Sequence, residues 1–324
     1  MTGRRTTLVV AAYALTMMLA GVSQPATAAD ALKVGKAQSE PLDFTPIDVG
    51  VEKGFFKKHG VDVEIVNFAG AAKQQQALAA GGVDMGLGGG PEMATIAKGA
   101  PQLGIAAFAG RPDGLVMVVK KDGPIKTVAD LKGQKVSVSS VGSLTEWMVR
   151  QTSKQQGWGP DGIEPVFLGN IAGQIAALRT DQIEGMSNDI GTALRMEDEG
   201  IGRILVRYGQ IVPDFVIHII YATKAVTTDH PDQVRGFLAG WFETIAWMKA
   251  NKAETVKIIA PIMRQTPDVV GGAYDVVMPT FSDTGKFEEK PVAVLRHSFM
   301  DMNLLPTEPD MSKLYTEQFL PGAS

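Results

Sequence analysis

One stretch of this chain occurs twice, one hundred positions apart, and it restricts the possible folds more than any other feature. "QQQALAAGGVDMGLGG" (Gln74 to Gly89) aligns with "QIAALRTDQIEGMSND" (Gln174 to Asp189). Gln74 faces Gln174, Ala77-Leu78 faces Ala177-Leu178, and Val83-Asp84 faces Ile183-Glu184. An earlier pair of runs also corresponds, "LKVGKAQS" from Leu32 with "QKVSVSS" from Gln134. Each copy reads helix, turn, strand. Self-similarity at a fixed spacing marks a structural unit used more than once, so the chain is expected to form two lobes on one plan. Around the copies, short β-branched runs alternate with helical periodicity, the signature of α/β layers with mainly parallel sheets flanked by helices.

If the copies are equivalent, Gly88-Gly89-Gly90 and Asn188-Asp189 occupy the same place in each lobe. That place lies beyond the carboxyl ends of the strands, where open α/β sheets bind ligands. Two such edges facing each other form a cleft. "GLVMVVKK" (Gly114 to Lys121) and "FVIHIIYAT" (Phe215 to Thr223) read as strands at two crossings between the lobes, and together they make a hinge. The expected division is a leader at 1–28, lobe I at 29–115 and 222–324, and lobe II at 116–221. In the tail, Val234, Phe237, Leu238, Trp241, Ile245 and Met248 recur at helical steps. That apolar face is expected to pack back onto lobe I.

The leader is read from Arg4 and Arg5, the apolar run Leu8 to Val22, and Ala26-Thr27-Ala28, with cleavage near Ala28/Ala29. A membrane span needs about 20 apolar residues, and this run is shorter. The general and folded-protein export routes both stay open. A chain without cysteine has no disulfide, thiolate metal site or lipid attachment through an N-terminal cysteine. An exported protein in the periplasm follows. The net charge of −4, with no basic stripe, argues against nucleic acid as a partner.

The glycine run "DMGLGGGPEM" resembles a phosphate cradle, but the spacing fails. Counting from Gly86 gives Gly88 and then Pro91 where a dinucleotide fingerprint needs its third glycine. Pro91 suits a first helical turn, and the bare glycines either let a ligand approach the backbone or make a plain tight turn. In the second copy, "SSVGSLTEW" pairs Ser143 with Glu146 as a capping box, leaving Ser140, Val141 and Gly142 free beside a helix amino terminus that attracts anions. Arg111 in "AGRPDGL" is either a clamp for a carboxylate or sulfonate or a surface partner of Asp113. Phe44, Trp147 and Phe215 are aromatic wall or core. Asn170, Asn188 and Asp189 sit at strand ends, able to bond a polar ligand or to serve turns. His218 alternates within an apolar strand and faces either the cleft or the hinge interior.

Catalytic patterns are poor. The histidines, His59, His218, His230 and His297, lack metal spacing, and there is no Gly-x-Ser-x-Gly elbow. Glu288-Glu289 and Glu197-Asp198-Glu199 read as solvated charge runs. No catalytic residue, metal or cofactor is expected.

"DFTPIDVGVEKGFFKKHGVDVEIVNF", "QALAAGGVDMGLGG", "VADLKGQKVSVSSVGS" and "HPDQVRGFLAGW" together resemble the solute-binding proteins of ABC importers. The nearest branch is the nitrate/sulfonate/taurine and thiamine-precursor-like group. The resemblance implies a type II periplasmic-binding-protein fold and a small polar, anionic solute. It also implies a membrane permease with cytoplasmic ATPase subunits as partner to a monomer. The family's ligand loops fall on Gln38-Ser39, Gly88 to Gly90, Ser139 to Ser143, Asn170 and Asn188-Asp189. The alternative is a periplasmic enzyme in the same cleft, a hydrolase or a relative of the pyrimidine synthase that shares this fold. That synthase uses a cysteine-rich segment and consumes its own histidine, and this chain has no cysteine.

Overall fold

Two five-stranded sheets with the same strand order carry the architecture of the computed structural model, which describes residues 31–323. The expected leader lies outside the described residues. Strands β1 (Leu32–Lys36), β2 (Val63–Asn67), β3 (Met85–Gly89), β4 (Gln102–Ala109) and β10 (His218–Thr223) form the first sheet, in the order β2-β1-β3-β10-β4. Strands β5 (Leu115–Lys120), β6 (Lys135–Val138), β7 (Glu164–Phe167), β8 (Gly185–Asp189) and β9 (Gly202–Arg207) form the second, in the order β7-β6-β8-β5-β9. In each sheet one strand, β10 or β5, runs antiparallel to both neighbours. These two reversed strands are the ones the chain reaches by crossing over. Their registers match as well: His218 pairs with Gly89, and Leu115 with Asp189. His218 to Tyr221, expected in lobe II, are therefore strand residues of the first sheet, and Leu115 belongs to the second.

The echoed segments are equivalent elements. Helices Ala71–Ala79 and Ile171–Arg179 precede β3 and β8, and each buries its leucine, Leu78 or Leu178, completely. Burying such a side chain contributes about 1.5–3 kcal/mol. The turn after each helix needs a left-handed residue, and Gly81 (φ 70°) and Asp181 (φ 56°) fill the same position. Glycine adopts that conformation freely and aspartate at a modest cost. Pro91, suited to a first helical turn, sits in a 3-10 turn, Gly90–Met93, followed by the short helix Ala94–Ala97.

Helix Pro231–Ala250 presents the predicted apolar face, and all six of its named residues are buried. It packs on the first half: Phe237 stacks on Phe56 at 4.9 Å and Trp241 meets Phe108 edge-on at 5.0 Å. The approach is close, because a Cβ at Gly240 would sit 2.7 Å from Phe56 Cδ1. The rest of the tail reaches further than expected and also touches the second half. Gln151 Nε2 donates to Asp301 Oδ2 at 2.8 Å, and Lys154 pairs with the same carboxylate. Among the described residues, no helix is long and apolar enough to cross a membrane.

Candidate functional site

The carboxyl ends of β3 and β8 meet across one cavity. Gly89 lines it from the first sheet, and Asn188 and Asp189 line it from the second. Ala37, Gln38, Pro41, Asp43, Phe44, Ala71 and Glu92 also line the first wall, with Leu115 and His218 at the crossings. Ser139, Leu144 and Thr145 complete the second. The cavity holds ≈480 Å³ of space free of protein atoms, part of it open to solvent.

Two buried glutamines brace the walls. Gln74 Nε2 donates to Gly35 O at 2.9 Å and to Leu87 O at 2.7 Å, tying β1 to β3. Gln174 does the equivalent work between β6 and β8. Its Nε2 donates to Leu168 O at 2.6 Å, and its Oε1 accepts from Ser137 Oγ at 3.3 Å and Asn188 Nδ2 at 3.0 Å. The repeat was legible because the fold needs the same brace twice.

The charge in the cavity is one-sided. Asp43, Glu92 and Asp189 are all buried, and neither lysine nor arginine lies among the lining residues. Burial, reinforced by Asp189, pushes the Asp43 carboxyl up to about 7. Burial also raises Glu92 to about 8 and raises Asp189, whose cap on Thr192 opposes the shift. It holds His218 neutral, down at about 4. Asp43 Oδ1 has no hydrogen-bond partner, nor has His218 Nδ1, and the two side chains stand 3.6 Å apart, Nε2 to Oδ1. Phe44 packs edge-on to the His218 ring at 4.9 Å. Among the described residues, no cluster could hold a metal ion.

These shifts make stability depend on pH. The folded protein binds protons at Asp43 and Glu92 well above the ordinary 3.8 and 4.5 of free side chains. Between about pH 4 and pH 8 the unfolded chain holds fewer protons, so this pair's contribution is complete below about pH 4 and is lost as pH rises. Denaturation of the ligand-free protein is expected to show the wild type losing stability relative to Asp43→Asn from pH 4 to pH 7. A difference that stays flat across that window contradicts the raised Asp43.

Of the residues singled out in the sequence, Gln38, Phe44, Gly89, Ser139, Asn188, Asp189 and His218 share this cavity. Gly88 lies in β3 behind it, and Gly90 starts the 3-10 turn against Val216. Ser39 is an exposed bend residue after β1. Ser140 stands where the halves meet, its hydroxyl accepting from Ala72 N at 3.4 Å. Gly142 packs on Leu304 and donates its amide to Glu146 Oε2 at 2.6 Å. Ser143 and Asn170 cap their own helices, accepting from Glu146 N at 3.3 Å and Gly173 N at 2.6 Å. The capping box is thus displaced by one residue, with Glu146 reaching Gly142 instead of Ser143.

Arg111 is the clear departure. It lies outside the cavity, 62 % exposed, and pairs with Asp113 at 3.3 Å. The clamp role offered for Arg111 therefore plays no part in this cavity, and its other reading, a surface partner of Asp113, is the one seen. Trp147 and Phe215, offered as wall or core, stack on each other at 4.1 Å and are buried. Asp43 and Glu92 were missed. Their signal was present: each is a lone acid inside an apolar or glycine-rich run, "PLDFTPI" and "LGGGPEMATI", and a buried acid needs a reason.

A family profile described as NMT1/THI5 like matches residues 42–255. A putative thiamine biosynthesis protein of Haemophilus influenzae is 27% identical over 225 residues, 65% of this chain and 67% of that one. A putative aliphatic sulfonates-binding protein of Escherichia coli is 25% identical over 252 residues, 76% of each chain. Among solved structures, the alkanesulfonate-binding protein SsuA of Xanthomonas axonopodis superposes with a TM-score of 0.77 at 17% identity. That match covers 88% of this chain and 97% of that one. The nitrate-binding protein NrtA of Synechocystis gives a TM-score of 0.72 at 17% identity, over 89% and 86%. At these identities the structures show the fold, a periplasmic-binding-protein architecture.

Proposed function

The chain belongs to the NMT1/THI5-like family, and from that premise we propose that it is the solute-binding component of an ABC importer. It takes a small polar solute into the cleft and delivers it to a membrane permease served by cytoplasmic ATPases. The observation that carries this reading is the shared cavity: one space lined by the strand ends of both sheets. A ligand there touches both halves at once. Only contacts that differ between the open and closed arrangements can shift the balance between them. Moving that balance from 1:99 to 99:1 takes about 5.5 kcal/mol of preference for the closed form. The two crossings, residues 110–114 and 208–217, are where the bending falls. We place the protein in the periplasm after removal of the leader, acting as a monomer.

Binding rather than catalysis is favoured by the lining, which holds three acids and a neutral histidine but no nucleophile paired with a base. The pyrimidine-synthase alternative has no cysteine to draw on. Small-angle scattering tests the proposal. With a saturating solute, recovered from a periplasmic extract by its thermal stabilisation of the protein, the radius of gyration is expected to fall while the solute stays chemically unchanged. An unchanged radius, or turnover of the solute, overturns the reading.

A further inference from the structure

We infer that the solute this cleft selects carries a cationic, N–H-rich group, an amine, amidinium or guanidinium. The inference rests on the importer-receptor reading above and sharpens it. Three carboxyl groups, Asp43, Glu92 and Asp189, line a single cavity with no cation among their neighbours on the wall. Of the basic groups nearby, Lys36 is buried but paired with Asp48 at 2.7 Å, Arg111 is paired with Asp113 at the surface, and Arg195, outside the lining, is close enough to Asp189 to oppose the rise in its pKa.

The second observation is independent of the charge count. Asp43 is 2% exposed and His218 6%, yet Asp43 Oδ1 and His218 Nδ1 lack any hydrogen-bond partner within the protein. A buried acceptor without a donor is costly, and a buried unpaired carboxylate more so. A ligand that donates N–H bonds into this wall relieves that cost. A sulfonate or nitrate, which only accepts, meets like charge there once Asp43 has released its proton, near pH 7. Of the helix termini nearby, Ser143, Asn170 and Asp189 each occupy one amide of their own first turn, from Glu146, Gly173 and Thr192, while the helix Ala71–Ala79, whose Ala71 lines the cavity, carries no side-chain cap.

Protons compete with such a ligand. Asp43 faces His218 and Asp189; Glu92 faces Gln75 and Tyr221; Asp189 has Thr192 and Arg195 on its own helix. His218 stays neutral throughout the working range. A cation therefore binds best when Asp43 has released its proton, so affinity rises with pH up to about 7, by up to tenfold per unit. An anion shows the opposite slope.

The mature protein, isolated gently, is the material for the test. Mass spectrometry of the retained solute is expected to find a basic nitrogen compound. In parallel, thermal shifts are measured with acetamidinium, guanidinium, benzamidine and butane-1,4-diamine, against ethanesulfonate and nitrate. At least one of the nitrogen bases is expected to stabilise the protein, at least tenfold more tightly at pH 7.5 than at pH 5.5. Asp43→Asn is expected to lose at least tenfold in that affinity. Glu92→Gln serves as the second variant if Asp43→Asn does not fold. Stabilisation by the anions alone, a retained acid, or no shift with any base overturns the ligand class. Compaction with an anion would leave the receptor reading standing, whereas binding without compaction removes that reading instead.

Discussion

Gly89→Asp is expected to weaken solute binding by at least about 100-fold, equivalent to about 2.7 kcal/mol, and to abolish ligand-induced compaction. Gly89 ends β3 where the two halves come together. A Cβ there would lie 3.0 Å from Leu144 Cβ in the second half and 2.9 Å from Glu92 Oε1 in the first. Any side chain wedges the jaws apart, and a carboxylate also brings charge into a wall that has no lysine or arginine. The backbone itself tolerates the change, since Gly89 has extended geometry (φ −85°, ψ 159°). The protein should therefore fold and fail to close. Gly271→Ala, at a helical position with nothing within 4 Å, is the matched control and should bind normally. Calorimetry and small-angle scattering read both effects, and a Gly89→Asp protein that still binds and compacts removes this residue from the cleft.

Gln174→Leu is expected to lower stability by about 3 kcal/mol or more. The side chain is fully buried and makes three hydrogen bonds, to Leu168 O, Ser137 Oγ and Asn188 Nδ2. Leucine fills similar space but leaves these groups unpaired, at about 1–3 kcal/mol each. Asn188 then loses its anchor at the cavity wall, so affinity should fall together with stability. Gln74→Leu should destabilise by a comparable amount through Gly35 O and Leu87 O. Urea denaturation measures both, and a loss below about 1 kcal/mol in either would mean that the repeated glutamine is not a brace.

What the sequence revealed followed from local rules. The β-branched run from Leu32 marked β1, and the one-hundred-residue echo announced two lobes on one plan. Gln174 stood out because its partner Gln74 repeated it in the same helical position. The site was less visible for a physical reason. Asp43 and Glu92 act through burial, and Asp43 also through repulsion from Asp189, which depend on neighbours distant in sequence. Arg111 carried two readings for the same reason: its chemistry suits an anion clamp, but after the Pro112–Gly114 turn it pairs with Asp113, the other reading the sequence offered. Ser143 and Asn170 have residue types that suit either ligands or caps, and capping won because their first-turn amides were nearest.

The order β2-β1-β3-β10-β4 has a consequence for how the molecule comes into being. The strand between β3 and β4 is β10, which begins more than a hundred residues after β4 ends. Until residue 223 has been made, β4 has no neighbour to join, and the first sheet stops at three strands. Pairings between such distant segments form slowly, because the intervening loop must close first. The early part of the polypeptide therefore remains unfinished throughout synthesis of the middle, and the returning strand completes the first layer in a late step.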